Sequence, residues 1–169
     1  MIIGITGYAG SGKDTIAKIL IEKYGFERRA FADNVRAILY NLDVHGVKDI
    51  VDEIGWDRAK RIPGIRSLLQ NLGVSAREVL GERTWIDPVL KGLSTSKLYV
   101  ITDVRFKNEA QAIRDFEGQI WRVQRPGVTP VNRHISETEL DEIHANKVII
   151  NGSGLDGLEE QVSLLLNDL

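Results

Sequence analysis

A glycine-rich segment near the N-terminus carries the residues with the clearest chemical potential. The segment Gly7-Tyr8-Ala9-Gly10-Ser11-Gly12-Lys13-Asp14-Thr15 lies between an apolar stretch and a stretch of helical period. Its spacing matches G-x-x-x-x-G-K, the phosphate-binding loop or P-loop. Glycines let backbone N–H groups surround phosphate oxygens, and the next helix presents its positive end. We therefore expect Gly10, Ser11 and Gly12 to bind the phosphates of ATP, with Lys13 at the β- and γ-phosphates.

The position after the lysine departs from the general motif. Asp14 stands where a serine or threonine usually contacts Mg²⁺, and Thr15 follows it. A carboxylate holds Mg²⁺ directly or through water, although it also repels nearby phosphates. We expect Thr15 near the α-phosphate and Asp14 acting on the metal or its waters. The alternative is a glycine-rich turn in which Asp14 only caps the helix.

A second acid follows the most apolar run of the chain. Asp103 comes directly after Leu98-Tyr99-Val100-Ile101-Thr102, a run typical of a buried parallel strand. Parallel α/β sheets bind ligands at the carboxyl ends of their strands. We therefore expect Asp103 to share a sheet edge with the P-loop and to bind metal, with Arg105 facing the phosphates. The alternative is that Asp103 caps the next helix and Arg105 pairs with Glu109.

These residues require a parallel sheet to position them. Short β-branched runs alternate with segments of helical period, which predicts an α/β fold. Residues 46–94 have a mainly helical pattern. Asp33 is predicted to cap one helix, and Ser75 with Glu78 to form the capping box of another. The predicted strands are 2–6, about 28–32, 98–102, 119–124 (a more lateral strand) and 148–150.

Composition limits the classes of function. The chain has 169 residues, 43% of them hydrophobic, a net charge of −2 and no cysteine. This composition predicts one soluble domain and argues against a duplex nucleic-acid binder, which carries a basic face. It excludes disulfides and cysteine-liganded zinc. Without a signal or membrane segment, a cytoplasmic location and small-molecule partners are expected; the oligomeric state, homodimer included, stays open.

Several blocks of residues together resemble a known family. They are Gly12-Lys13-Asp14-Thr15, Phe31-Ala32-Asp33, Leu68-Leu69-Gln70-Asn71-Leu72-Gly73, Asp103-Val104-Arg105-Phe106-Lys107-Asn108-Glu109 and His134-Ile135-Ser136-Glu137. In this combination the chain resembles the bacteriophage and bacterial deoxynucleoside monophosphate kinases. An aspartate after the P-loop lysine is usual there, so Asp14 agrees with the resemblance.

The resemblance implies a fold, a reaction and roles for residues. The fold would be a P-loop NTPase domain with a five-stranded parallel sheet flanked by helices (core 1–33 and 95–169). A helical acceptor-binding insert (about 34–94) and a lid (about 125–143) would complete it. The reaction would be Mg²⁺-dependent transfer from ATP to a deoxynucleoside monophosphate (dNMP), giving the diphosphate. Carried over by position, ATP and metal would be held by Gly10, Gly12, Lys13, Asp14 and Thr15, the acceptor by Arg66 and Gln70, the transferring phosphoryl by Arg105, and the lid would contain Arg125.

Phosphoryl transfer also calls for arginines on physical grounds. Two anionic substrates must be brought together, and the guanidinium fork suits phosphate oxygens. Arg36 and Arg77 are predicted to face the acceptor. The alternative for each arginine is a solvated side chain or a weak surface ion pair. The six candidates are Arg36, Arg66, Arg77, Arg105, Arg122 and Arg125.

Two other functions stay open from the residues alone. One is a P-loop kinase for another small phosphorylated acceptor, such as phosphomevalonate or dephospho-coenzyme A. The other is a nucleotide-binding switch that transfers nothing. The sequence does not indicate which base or modified base is accepted, nor whether the chain comes from a phage or its host.

Overall fold

A computed structural model describes residues 1–129 and 139–168. The described strands are β1 Ile2–Thr6, β2 Glu27–Arg29, β3 Tyr99–Ile101, β4 Gln119–Gln124 and β5 Lys147–Ile150. The described helices are α1 Lys13–Tyr24, α2 Ala32–Leu42, α3 Val47–Ile54, α4 Trp56–Ala59, α5 Pro63–Leu80, α6 Ile86–Leu90, α7 Lys107–Asp115 and α8 Gly154–Asn167, with short 3₁₀ helices at Val44–Gly46 and Glu139–Glu142.

The strands form one parallel sheet in the order β2-β3-β1-β4-β5. The central strand β1 pairs with β3 and with β4 in parallel. Helices flank the sheet, so the predicted α/β class with five parallel strands is confirmed. Because all five strands run the same way, their carboxyl ends lie at one edge, where ligands of such sheets bind.

The chain divides into two compact units. The first comprises Met1–Ala30 and the described residues from Gly92 onward, and the second is Phe31–Lys91. The first unit therefore holds the whole sheet, and the second consists of α2 to α6. The assignment of this second unit to the acceptor, and of residues 125–143 to a lid, stays a prediction. Residues 130–138 of that predicted lid lie outside the described residues.

The core of the first unit lies where α1 and α8 pack with the sheet. Every residue of β1 is buried, and one face of α1 buries Ile16, Ile19 and Leu20. Gly25, in the left-handed region, ends α1 through N–H bonds to the carbonyls of Leu20 and Ile21. The cluster consists of Ile3, Ile5, Ile16, Ala17, Ile19, Leu20, Phe26, Val100, Trp121, Val123, Ile149, Leu158 and Val162.

The second unit has its own apolar cluster. Leu39, Val47, Val51, Ala59 and Ile65 are buried together. The mainly helical reading of 46–94 is confirmed, since no strand occurs in this fully described stretch. Within residues 1–129 and 139–168, the chain has no helix with the length and apolarity needed to cross a bilayer.

Two predicted helix caps were wrong. Helix α2 begins at Ala32 with Phe31 as its N-cap, and Asp33, inside the first turn, accepts a hydrogen bond from Arg36 instead of capping. Helix α5 runs from Pro63 to Leu80 without a break at Ser75, so no new helix starts there. A polar pair at capping-box spacing also fits the solvent side of a continuous helix, and here Ser75 and Glu78 are both exposed.

Strand β4 is internal rather than lateral, because β5 covers its outer edge. Its alternation of polar and apolar positions predicted a more lateral strand. The predicted strand at about 28–32 is shorter and earlier, at Glu27–Arg29, because α2 already begins at Ala32.

The fully buried Trp121 gives a test of this core. Trp121→Ala should lower the free energy of unfolding by about 3–5 kcal/mol, because it removes the largest buried side chain of the sheet. Val148→Ala on β5, where the side chain is 49% exposed, is the control and should change it by less than about 0.5 kcal/mol. Urea unfolding followed by circular dichroism measures both, and similar losses for the two variants would contradict this packing.

Candidate active site

The P-loop joins the central strand β1 to helix α1. The Ser11 N–H donates to the Tyr8 carbonyl at 3.1 Å, closing a turn inside the loop. Gly7 must be glycine, because its φ is 142° and a Cβ there would lie 2.4 Å from the Val123 carbonyl oxygen. Gly12, at φ 107°, is the N-cap of α1, and no side chain caps that helix start. Such a helix start suits an anion.

Lys13 lies folded across this loop. Its Nζ donates to the carbonyls of Gly7 and Tyr8, both at 2.7 Å. These bonds hold the ammonium group against the loop itself rather than in solvent. The lysine charge is therefore concentrated where the motif predicts the β- and γ-phosphates.

Asp103 follows β3 at the same edge of the sheet. The residues on either side of it are fixed by backbone bonds: Thr102 N–H donates to Arg29 O, and Val104 N–H donates to Ile5 O, both at 3.1 Å. The second bond ties the Asp103 segment to the end of β1, from which the P-loop leaves. Asp14 lies exposed in the first turn of α1, where the helix dipole favours a negative charge.

Arg105 sits on a turn that a buried carboxylate holds. Glu109, only 4% exposed, accepts the backbone N–H of Arg105 at 2.8 Å and that of Phe106 at 3.1 Å. From the sequence, Glu109 was predicted only as a possible ion-pair partner of the Arg105 side chain. The three-residue spacing from Phe106 to Glu109, as in a capping box, was the available signal.

A cavity of about 340 Å³ opens beside the P-loop. Ser11 and Arg125, both predicted to bind ATP, line this cavity together with Arg122. From the sequence, Arg122 was only one of six arginines that could bind a phosphate. Tyr8 and Asp141, which line it too, were missed. The lining residues are Gly7, Tyr8, Ser11, Arg122, Val123, Gln124, Arg125, Pro126, Val128, Leu140, Asp141 and Ile150.

The wall of this cavity at 139–143 is anchored to the P-loop and to β4. The Tyr8 hydroxyl donates a hydrogen bond to the Asp141 carboxylate. Arg122, on β4, donates to the carbonyls of Leu140 at 2.9 Å and Ile143 at 2.6 Å. Arg122 therefore orders this wall, and it does so with a largely buried side chain.

The same segment is tied to the start of α7. The Lys107 backbone N–H donates to Glu139 at 2.8 Å, and its Nζ donates to Glu142 at 2.7 Å. The hydrogen bond and charge of Glu142 raise the pKa of Lys107 above its ordinary value. This exposed pair adds little stability on its own.

Two buried hydroxyl groups beside the loop lack a hydrogen-bond partner in the described part of the chain. They are Thr6 Oγ1, at the end of β1, and Ser11 Oγ, inside the loop. Thr6 is fully buried and Ser11 is 1% exposed. An unsatisfied buried hydroxyl costs about 1–3 kcal/mol, so each of these two calls for a further bonding partner such as water, an ion or a ligand.

The predicted acceptor residues all belong to the second unit. Arg66, Gln70 and Arg77 are spaced i, i+4 and i+11 on α5, which places them on one face of that helix. All three are half-buried, unlike the neighbouring Ser67 and Asn71. Arg36, on α2, pairs with Asp33 at 2.9 Å, and its buried Nε has no hydrogen-bond partner among the described residues.

A parallel sheet with a P-loop after its central strand defines the P-loop nucleotide-binding fold. A shikimate kinase from Aquifex aeolicus vf5 shares this fold, with a TM-score of 0.50, 13% identity, and coverage of 99% of this chain and 96% of that one. This likeness shows the fold.

The sequence comparisons give the family. The model of the deoxynucleotide monophosphate kinase family matches residues 41–162, so the chain belongs to this family and is a nucleotide monophosphate kinase, a phosphotransferase. The matched stretch contains Asp103, Arg105 and Glu109, while the P-loop precedes it.

Two viral proteins are similar along most of the chain. One, from Acanthamoeba polyphaga mimivirus, is named "Putative deoxynucleotide monophosphate kinase" and is 28% identical, covering 96% of this chain and 94% of that protein. The other, "Uncharacterized protein ORF77" of Ictalurid herpesvirus 1 (strain Auburn), is also 28% identical, covering 97% of this chain and 69% of that protein.

The buried Glu109 gives a test of how the Arg105 turn is held. Glu109→Ala should lower the free energy of unfolding by about 2–4 kcal/mol, because two backbone N–H groups lose a charged acceptor. Glu109→Gln keeps an acceptor oxygen and should lose less. Gln111→Ala on the same helix, whose amide bonds the exposed Asp115, should be nearly neutral. Chemical denaturation measures all three, and a neutral Glu109→Ala would contradict this role.

Proposed function

We propose that this protein transfers the γ-phosphoryl group of ATP to a deoxynucleoside monophosphate, giving ADP and the deoxynucleoside diphosphate. The observation that carries the proposal is the P-loop at the carboxyl end of the central strand in a chain of the deoxynucleotide monophosphate kinase family. The acceptor named here is supported by that family membership together with the basic face of α5.

The ATP phosphates would bind within the P-loop. The loop N–H groups and the uncapped start of α1 supply donors, and Lys13 supplies a positive charge at its mouth. The adjoining cavity, with Tyr8, Gln124 and Arg125, would take the rest of the nucleotide. Arg125, which lines this cavity, would then contact the nucleotide.

The residues at this edge also fit Mg²⁺. The ion prefers oxygen ligands and usually takes one or two carboxylates, with water and substrate phosphates completing its shell. Asp14 and Asp103 would supply the carboxylates, and the unsatisfied hydroxyls of Ser11 and Thr6 are further oxygens beside the loop. Among the described residues there is no group of three or more acidic, histidine or cysteine side chains that could hold a metal ion. When bound, Mg²⁺ neutralises charge on the transferring group.

The acceptor would bind at the second unit. Arg66 and Arg77 would pair with its phosphate and Gln70 with its base, since guanidinium groups fit phosphate oxygens and an amide both donates and accepts hydrogen bonds. Arg36 would assist, because its buried Nε lacks a partner in the described chain. These assignments follow from the shared, half-buried face of α5.

The chemical step needs no strong base. An oxygen of the acceptor phosphate, already anionic, forms a bond to the γ-phosphorus, and the bond from that phosphorus to the bridging oxygen of ADP breaks. Lys13 and Arg105 would stabilise the charge on the transferred group. Positioning and electrostatic stabilisation therefore account for the rate enhancement.

A coupled ADP-release assay with Mg-ATP tests the proposal. The acceptors would be the four common dNMPs, the ribonucleoside monophosphates, phosphomevalonate and dephospho-coenzyme A. Turnover with one or more dNMPs, and little with the rest, is expected and would identify the preferred base. Turnover only with a non-nucleotide acceptor would overturn the substrate named here and leave the kinase class intact.

Replacing the P-loop lysine tests the donor half of the site. Lys13→Ala should lower kcat/KM for ATP by a factor on the order of 10²–10³, because a charge aligned with the transferring group is lost. Lys18→Ala is the matched control, since Lys18 lies on the same helix with its side chain 69% exposed and only a distant pairing to Glu22. Near-normal turnover by Lys13→Ala would contradict the proposal.

A further inference from the structure

We propose that Asn151 is a positioning residue that fixes the Ser11–Gly12 peptide of the P-loop for ATP binding. The inference deepens the proposed function and rests on it. Nothing in the sequence pattern drew attention to this residue, which lies directly after β5. Its side-chain amide nitrogen donates a hydrogen bond to the Ser11 carbonyl at 2.9 Å, across 140 residues of sequence.

This bond determines which way the peptide faces. In a trans peptide the carbonyl and the N–H point in opposite directions. Asn151 holds the Ser11 carbonyl on its own side, so the Gly12 N–H is directed to the other side. A phosphate-binding loop needs its N–H groups turned toward the anion and its carbonyls turned away. The Asn151 amide thus supplies the donor that keeps a carbonyl oxygen from facing the phosphates.

Asn151 and the loop are packed closely together. A Cβ on Gly12 would lie 2.3 Å from the Asn151 amide nitrogen. Position 12 therefore requires glycine for two reasons: its φ of 107° and the closeness of Asn151. The Asn151 amide therefore packs directly against the Ser11–Gly12 peptide whose carbonyl it bonds.

Hydrogen bonds to β4 and α8 fix the backbone of Asn151 and of the residue before it. Its backbone N–H donates to the Gln124 carbonyl at 2.7 Å. The preceding residue, Ile150, is clamped by Gln161 of α8, whose amide accepts the Ile150 N–H and donates to its carbonyl, both at 3.0 Å. Helix α8 is anchored by the buried Leu158 and Val162. The position of the P-loop peptide is therefore set by the last strand and helix of the fold.

The chain offers a matched control at the other end of β5. Asn146, just before that strand, also donates its backbone N–H to a β4 carbonyl, that of Ile120, at 2.8 Å. Its side chain accepts the Ile120 N–H at 2.8 Å. The two asparagines flank one strand and differ in role: Asn146 accepts a bond within the sheet, and Asn151 donates one to the P-loop.

The experiment measures ATP affinity, thermal stability and steady-state kinetics for Asn151→Ala, Asn151→Asp, Asn146→Ala and Asn146→Asp. Asn151→Ala should raise the Kd and KM for ATP about tenfold, the effect of one lost hydrogen bond. Asn151→Asp should raise them at least as much, because it also places a negative charge beside the loop. The kcat at saturating ATP and the KM for the dNMP should stay within about twofold, since ground-state binding is what is lost. Asn146→Asp keeps its acceptor, and neither Asn146 variant should change ATP affinity, whatever its effect on Tm.

The outcomes separate the two proposals. If the wild-type protein binds ATP and Asn151→Ala binds it with equal affinity, this inference is overturned and the proposed function is not affected. ATP affinity in Asn151→Asp equal to that of the wild type would also overturn it, because the aspartate keeps the shape but not the donor. Affinity that falls equally in the Asn146 and Asn151 variants would show a general loss of structure instead. Wild-type protein without ATP affinity would overturn the proposed function, and this inference with it.

Discussion

The constraint on which this structure depends is the passage of the chain from β1 into α1. The strand is buried along its whole length, and the helix starts with a left-handed glycine. Between them the backbone must reverse with its N–H groups directed at an anion and its carbonyls satisfied elsewhere. Lys13 and Asn151 bond the carbonyls of Gly7, Tyr8 and Ser11. The loop therefore depends on a cation from its own helix and an amide from the far end of the sheet.

Parallel pairing brings the other contributors to this edge. Asp103 follows β3, Arg125 follows β4 and Asn151 follows β5, while the P-loop follows β1. Each of these strands is adjacent to β1 or one strand removed from it. Residues widely separated in sequence are thus brought to the sheet edge that carries the P-loop. The buried Glu109 extends the same principle by fixing the turn that carries Arg105.

The sequence predicted the parts of the fold that local pattern controls. Positive φ angles and burial restrict residue types directly. For this reason the sequence could predict the P-loop glycines, the apolar strand β1 and the strand Gln119–Gln124. Asp103 could be placed at the sheet edge because it ends an apolar run. The sequence could not predict the start of α2 or the continuity of α5 through Ser75. Polar residues such as Asp33 and Ser75 fit a helix cap and also a position inside a helix.

Residues whose importance comes from a distant partner were invisible in the sequence. Asn151, Asp141 and Tyr8 are ordinary polar residues until the fold joins them across the sheet edge. Arg122 was predicted as one of the arginines that could bind a phosphate. In the structure its guanidinium group donates hydrogen bonds to the carbonyls of Leu140 and Ile143. A long-range hydrogen bond leaves no periodicity or spacing in the sequence, so only the tertiary structure reveals it.

The most direct test of the central claim follows the phosphorus atom itself. The protein would be incubated with Mg²⁺, [γ-³²P]ATP and a dNMP, and the products separated by thin-layer chromatography. If the protein transfers the γ-phosphoryl group to the dNMP, the label appears in the deoxynucleoside diphosphate, in amounts that match the ADP formed. Label that appears only as inorganic phosphate, whatever dNMP is present, would mean hydrolysis without transfer and would contradict the proposed function.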